Sequence, residues 1–280
     1  MTKEQLRCDE SSFDQSVILI KPDGYNSEII RTYIYELIQE FQLEEVLSYS
    51  LKLQHNDVLD IWPKFGCNKY LISQEFSFLY MTSGLSEVII VTSDNVEQKC
   101  SRIKSKVRSR FGTGKFCNCI HTPVGKIETI SNLNKFLYSV PNGEAFSRYM
   151  DESESPGIWG RLAKISPDYL RETAKIVWNR KEVGGWEALK RSRNLAKFAV
   201  RLLPGDPHSI DYGMSVLYET ILDWSVEETF CAYLEAEAFG YSTIAEGEHI
   251  TMQSLSNTIS SQGLFTEVSI SNYLEQAKIQ

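Results

Sequence analysis

Positive charge, cysteine, histidine and long apolar runs are all scarce in these 280 residues, and each scarcity removes a class of function. Lys and Arg number 29 against 37 Asp and Glu, a formal charge of -8. Counterion release favours proteins that offer excess cations to phosphates, so a general nucleic-acid or anionic-membrane binder is excluded as the role of the whole chain. No run comes near the roughly 20 apolar residues that span a bilayer. The polar start, MTKEQLRCDESSFDQS, has no apolar core of a secretory signal. Six cysteines, at 8, 67, 100, 117, 119 and 231, are too few and too irregularly spaced for a disulfide scaffold. A reducing cytoplasm is the expected compartment.

What is present is enough apolar material, 42%, to build cores for one large or two ordinary domains. The charge is uneven. Residues 1–150 hold 17 Lys and Arg against 18 Asp and Glu, while 151–280 hold 12 against 19, so the first part can carry a local basic patch that the total conceals. Between Pro141 and Gly160 the composition shifts to Asn, Gly, Asp, Glu, Ser and Pro, which is linker-like. A boundary near Asp151 is expected, giving domains 1–150 and 151–280.

In the first domain Ser16 to Ile20, SVILI, is a continuous apolar run that predicts a buried strand, closed by the tight turn Lys21-Pro22-Asp23-Gly24. Ile29, Ile30, Tyr33, Ile34, Leu37, Ile38 and Phe41 recur at helical spacing over 27–41. Strands are predicted at 46–53, 87–92 and 115–120, and helices toward Trp62, over 73–81, from an Asp94 cap to about Arg108, and over 127–137. This order suits an α+β fold, a ferredoxin-like split βαβ with a four-stranded antiparallel sheet and helices over it. Beyond Asp151 the pattern is helical, with helices predicted at 186–203, 209–223 and 270–278, a cap and first-turn proline at Ser166-Pro167, and a capping box at Ser225 to Glu228. No strand signal of comparable strength stands there, so a mainly α-helical domain is expected, with Trp159, Trp178, Trp186 and Trp224 in its core.

The chemistry concentrates in Val107 to Pro123, VRSRFGTGKFCNCIHTP. Gly112-Thr113-Gly114-Lys115 is no phosphate loop, because GxxxxGK[ST] needs glycine where Ser109 stands and a hydroxyl where Phe116 stands. Cys117, Cys119 and His121 share one face of a strand, but side chains two apart are nearly 7 Å apart along it and cannot converge on one zinc ion without a bend. Buried thiols are the better reading of the cysteines. His55 before a predicted cap, His208 in a loop after Pro207 and His249 in a polar stretch are each read as surface residues and not as catalytic ones. That leaves His121 as the candidate reactive group, with a half-buried strand-end histidine as the plain alternative.

The ordered set of Lys21-Pro22-Asp23-Gly24, Tyr80-Met81-Thr82-Ser83-Gly84, Arg102 and Arg108, and Asn118-Cys119-Ile120-His121 resembles the nucleoside diphosphate kinase family, which carries IKPDG, YMxSG and an arginine-rich segment leading to NxIH. The resemblance covers about 16–137, under half the chain. It implies that His121 accepts the γ-phosphoryl of a nucleoside triphosphate and passes it to a nucleoside diphosphate, a covalent ping-pong route. It further implies that Lys21, Arg102 and Arg108 neutralise the phosphates, that Asn118 bonds the ribose, that Mg2+ arrives bridging the phosphates with few protein ligands, and that the protein is a homo-oligomer. Phe65, Phe76 and Phe78 are candidates for stacking on the base.

Three departures accompany it. Only five residues separate Arg102 from Arg108, where the family has a longer loop. Thr122-Pro123-Val124-Gly125 stands in place of GSDS, and the glutamate that orients the histidine falls on Asn132, with Glu128, four residues earlier on the same helix face, as the expected replacement. These keep two other functions open: a nucleotide-binding sensor or scaffold with weakened catalysis, and an enzyme that makes a specialised nucleotide. The domain 151–280 is expected to supply an oligomer interface, a protein-partner site or a lid.

Overall fold

Val17, Ile18, Leu19 and Ile20 are all wholly buried, because the strand they form is covered on both faces of its sheet. In the computed structural model, which describes residues 14–62, 70–112, 117–137, 157–180, 198–205 and 208–270, this strand is β1 (Gln15–Ile20). It is followed by the single-turn α1 (Pro22–Tyr25), α2 (Glu28–Glu40), β2 (Glu44–Leu51) and α3 (His55–Ile61). After α4 (Leu71–Met81) come β3 (Ser86–Thr92), α5 (Val96–Phe111), β4 (Ile120–His121) and α6 (Gly125–Phe136). The sheet order is β2-β3-β1-β4 with every neighbouring pair antiparallel, the expected ferredoxin-like arrangement.

Strand alternation sorts the side chains. Ile18, Ile20, Ile89, Val91 and Ile120 join the core formed with α2 and α5, through Ile34, Leu37, Ile38, Val96, Cys100, Ile103 and Val107. Leu19 lies opposite His121 in the β1–β4 register and therefore shares its face, the other side of the sheet. Ser27 caps α2, its hydroxyl accepting from the Ile30 amide at 3.4 Å, but Ile29 is 71% exposed, one position off the buried stripe. The cap of α5 is Asn95, in the left-handed region at φ 52°, and not Asp94, whose carboxylate instead pairs with Lys99 at 2.8 Å.

Two compact units divide the described residues. The first takes 14–62, 81–112 and 118–137; the second takes 70–80, Cys117, 157–180, 198–205 and 208–270. The boundary expected near Asp151 lies outside the described residues. In the second unit, α7 (Pro167–Arg180), α8 (Ile210–Thr220), α9 (Val226–Phe239) and α10 (His249–Ser260) make the helical content, and the Ser225–Glu228 capping box forms as expected. The same unit also contains an antiparallel sheet, β6-β5-β7, from β5 (Phe198–Leu202), β6 (Ser242–Gly247) and β7 (Thr266–Ile270).

That sheet corrects the expectation of a helix running to 203. Five residues, FAVRL, are too short a run for periodicity to tell strand from helix, and the ladder to β6 and β7 decides. The part of that helix over 186–197, Trp186 with it, and residues 271–278 lie outside the described residues. Trp178 and Trp224 are buried and Trp159 is half-buried.

Candidate active site

Site geometry begins at the turn after β1. Lys21 ends the strand with its amide donating 2.9 Å to the Cys119 carbonyl, Pro22 opens α1, and the Asp23 carboxylate accepts from the Gly24 amide at 2.9 Å and the Cys119 amide at 3.2 Å. A Cβ on Gly24 would stand 2.7 Å from the Cys119 carbonyl oxygen, so only glycine lets the two segments approach. Cys119 itself takes φ 64°, and that bend carries the chain from Asn118 into β4. The KPDG motif thus builds the junction that brings Lys21 and Asn118 together: Lys21 Nζ donates 2.6 Å to Asn118 Oδ1, both side chains buried.

Next on the strand, His121 is only 5% exposed. Its Nε2 lies 3.2 Å from Asn132 Oδ1 on α6 and 3.7 Å from the Glu128 carboxylate. Asn132 Nδ2 donates to the Glu128 carbonyl at 3.0 Å, which leaves Oδ1 as the end facing the ring. An acceptor at Nε2 requires that nitrogen to carry the proton, so the basic lone pair of the neutral ring sits on Nδ1. Glu128 itself spends its carboxylate on the Val124 amide at 2.5 Å. The carboxylate of Glu128, the expected replacement of the orienter, is thus the more distant contact of the ring; Asn132 makes the closer one, and Glu128 holds Asn132 by a backbone carbonyl. Trp62, at the end of α3, packs edge-on to the imidazole with centroids 4.9 Å apart and has Lys21 Nζ 5.5 Å from its own ring centre.

Burial is the main reason the imidazolium of His121 is disfavoured, and Lys21, Lys104 and Arg108 add repulsion in that order; the Asn132 bond opposes them weakly. The pKa is held well below 6.5, so the ring is neutral at physiological pH. Lys104 is itself pushed below 10.5, chiefly by burial and then by Arg108.

Of the residues singled out from the sequence, Lys21, Asn118, His121, Glu128 and Arg108 come together. Arg108 turns its guanidinium to the Ile120 carbonyl, at 2.9 and 3.2 Å. Arg102 does not join them. It is exposed on α5, about 200° around the helix from Lys104, and Lys104 is the residue that shares a face with Arg108. The i to i+4 spacing of Lys104 and Arg108 was the available signal. Trp62 had none beyond its place at a helix end, and Asn132 was visible only as a missing glutamate. Phe65 lies outside the described residues. Phe76 is wholly buried in the second unit, its ring 5.6 Å from Phe230, and Phe78 is buried there as well, so both are core side chains of that unit.

Cys117 and Cys119 are buried thiols, Cys119 Sγ donating to the Phe111 carbonyl at 3.4 Å. Among the described residues no group of three or more His, Cys, Asp or Glu could hold a metal ion, and no helix is long and apolar enough to cross a membrane.

No protein-family model and no curated protein matches the chain. Among solved structures it is similar to the nucleoside diphosphate kinase of Aquifex aeolicus, with 17% identity over 43% of this chain and 92% of that one, at a TM-score of 0.37. The enzyme of Encephalitozoon cuniculi is 16% identical over 48% of this chain and 95% of that one, also at 0.37. The Halobacterium salinarum enzyme, solved in complex with CDP, is 12% identical over 57% of this chain and 99% of that one, at 0.35.

Proposed function

We propose that the first unit is a nucleotide phosphotransferase of the nucleoside diphosphate kinase type, with His121 as the covalent phosphoryl carrier. The observation that carries this is the state of the imidazole: neutral, with Nε2–H on Asn132, the lone pair on Nδ1, and three cations, Lys21, Lys104 and Arg108, acting on it. A neutral ring is a nucleophile, and Lys21 and Arg108 match a group that brings charge spread over phosphate oxygens. Nδ1 bonds to the γ-phosphorus while the bond from that phosphorus to the β,γ-bridging oxygen breaks, releasing the diphosphate. A terminal β-phosphate oxygen of the acceptor diphosphate then takes the group and restores neutral His121.

The substrate is the magnesium complex of the nucleotide. Asp23 is committed to two backbone amides and Glu128 to one, which suits an ion that enters already bound to phosphate oxygens and supplies charge neutralisation there. Lys21, released from Asn118, is the residue placed to follow the transferred charge; Asn118 is then available to a ribose hydroxyl.

Incubation with γ-labelled ATP and Mg2+ tests the proposal. Acid-labile, alkali-stable label on the wild type, absent from His121→Ala, is expected. Absence of such label from the wild type overturns the covalent mechanism.

A second reading, a nucleotide sensor or scaffold, is favoured by one observation: Lys21 is bonded to Asn118 and Arg108 to backbone around a histidine that is 5% exposed. Calorimetric nucleotide binding without turnover in a coupled assay on the same sample would favour that reading.

A further inference from the structure

Lys104 and Arg108 stand one helical turn apart on α5 and end on two carbonyls that bracket His121. The Cys119 carbonyl points toward β1, since it accepts from the Lys21 amide. Along an extended strand successive carbonyls alternate, so those of Ile120 and Thr122 point away from β1. On that side β4 has no neighbouring strand among the described residues. An edge strand leaves such carbonyls unpaired, and here side chains take the place of a ladder. Arg108 donates twice to Ile120 and Lys104 Nζ donates to Thr122 at 2.8 Å.

The second tie matters more than its length suggests. Position 123 is proline and has no amide to donate, and β4 is assigned only as Ile120–His121, so the ladder holds little of the chain just past the histidine. Thr122 is wholly buried, with its hydroxyl 3.5 Å from the Cys100 carbonyl on the same helix. The ammonium of Lys104 is thus the strong, charge-assisted bond on the far side of His121, supplied from the stretch of α5 between Arg102 and Arg108.

We propose that Lys104 is a positioning residue for His121: together with Arg108 it clamps the backbone on both sides of the histidine and so holds the imidazole in register with Asn132. This rests on the reading of His121 as phosphoryl acceptor, but the clamp has a signature of its own.

Three variants separate its possible roles. Lys104→Arg keeps charge and donor, Lys104→Gln keeps a donor without charge, and Lys104→Met keeps only the aliphatic stem. For the positioning role, single-turnover phosphorylation of His121 slows about tenfold or more in the Met variant, the KM for magnesium ATP stays nearly constant, and the Gln and Arg variants recover much of the rate. A Met variant that raises KM with an unchanged rate, or a Gln variant as slow as Met, overturns it and makes Lys104 a phosphate-binding charge. If the wild type forms no phosphohistidine, the functional reading fails and the clamp is judged in nucleotide-free protein by solvent exchange of the His121 Nε2 proton. Faster exchange in Met but not in Gln supports the clamp; equal exchange in all four proteins overturns it.

Discussion

Asn132 binds His121 Nε2 through its carbonyl oxygen at 3.2 Å while its amide nitrogen is held by the Glu128 carbonyl at 3.0 Å. The side-chain amide can therefore face the ring in only one orientation, and one neutral tautomer follows. A carboxylate in the same place would also select that tautomer, but it would add a negative charge that favours the imidazolium. The amide orients without charging.

Replacing Asn132 with Leu, of similar volume, removes the acceptor. A His121 free to adopt either tautomer is expected to accept phosphate about tenfold more slowly, the worth of one such bond. Asn132→Asp restores an acceptor and a charge, so the His121 pKa rises. NMR titration of the ring, with phosphorylation rates on the same samples, checks both; an unchanged ring titration in Asn132→Asp would contradict the contact.

His121 also makes a pH prediction. Its folded pKa is depressed, so above 6.5 the ring is neutral in both the folded and the unfolded chain and has no effect on stability. Below 6.5 the unfolded chain takes up a proton that the folded ring refuses. Stability should then fall by about 1 kcal/mol for each pH unit until the folded ring titrates. Denaturant melts of wild type and His121→Gln at pH 7.5 and 5.5 isolate this term, with a smaller loss expected in the variant. The phosphorylation rate should likewise persist below the pH at which an ordinary histidine would protonate.

Gly24→Ala would place a methyl 2.7 Å from a backbone carbonyl that cannot move without shifting Asn118 and Cys119. A loss of roughly 1–3 kcal/mol is expected. Because the strained segment leads directly into β4, phosphorylation of His121 should fall further than stability alone accounts for. Thermal melts and phosphorylation compared at a temperature where the variant is fully folded provide the test.

In the second unit, Asp211 on α8 caps α4 across about 140 residues of chain, accepting from the amides of Ile72 at 2.7 Å and Ser73 at 3.2 Å, and from the Ser73 hydroxyl. Asp211→Ala leaves buried donors at the start of α4 and should cost roughly 2–4 kcal/mol. Asp211→Asn, which keeps one acceptor, should cost less. Burial pushes the Asp211 carboxyl up to about 6, against the pull of its hydrogen bonds. A raised carboxyl pKa means the folded unit binds the proton more tightly, so keeping this group ionised costs stability near pH 7, and that cost is relieved as pH falls from about 6 toward 3.8. Denaturation followed through Trp178 and Trp224 fluorescence reports it.

The sequence by itself determined the sheet and the order of its parts. An unbroken apolar strand needs two covered faces, helical spacing marked α2 and α5, and the resemblance carried by KPDG and, much later, NxIH implied that Lys21, Asn118 and His121 share one site. The first two signals are local, carried by neighbours along a strand or helix. Tertiary structure alone decided the rest. It chose Lys104 over Arg102 because helical phase counts only once α5 is docked beside β4. It turned the Asn132 carbonyl oxygen toward His121, because an amide's direction depends on the carbonyl that holds it. It converted FAVRL into a strand because its partners lie 40 to 49 and 64 to 72 residues away, beyond the reach of local periodicity. It gave α4 a cap from Asp211, since buried amides donate to any carboxylate that packing brings, however distant in the chain.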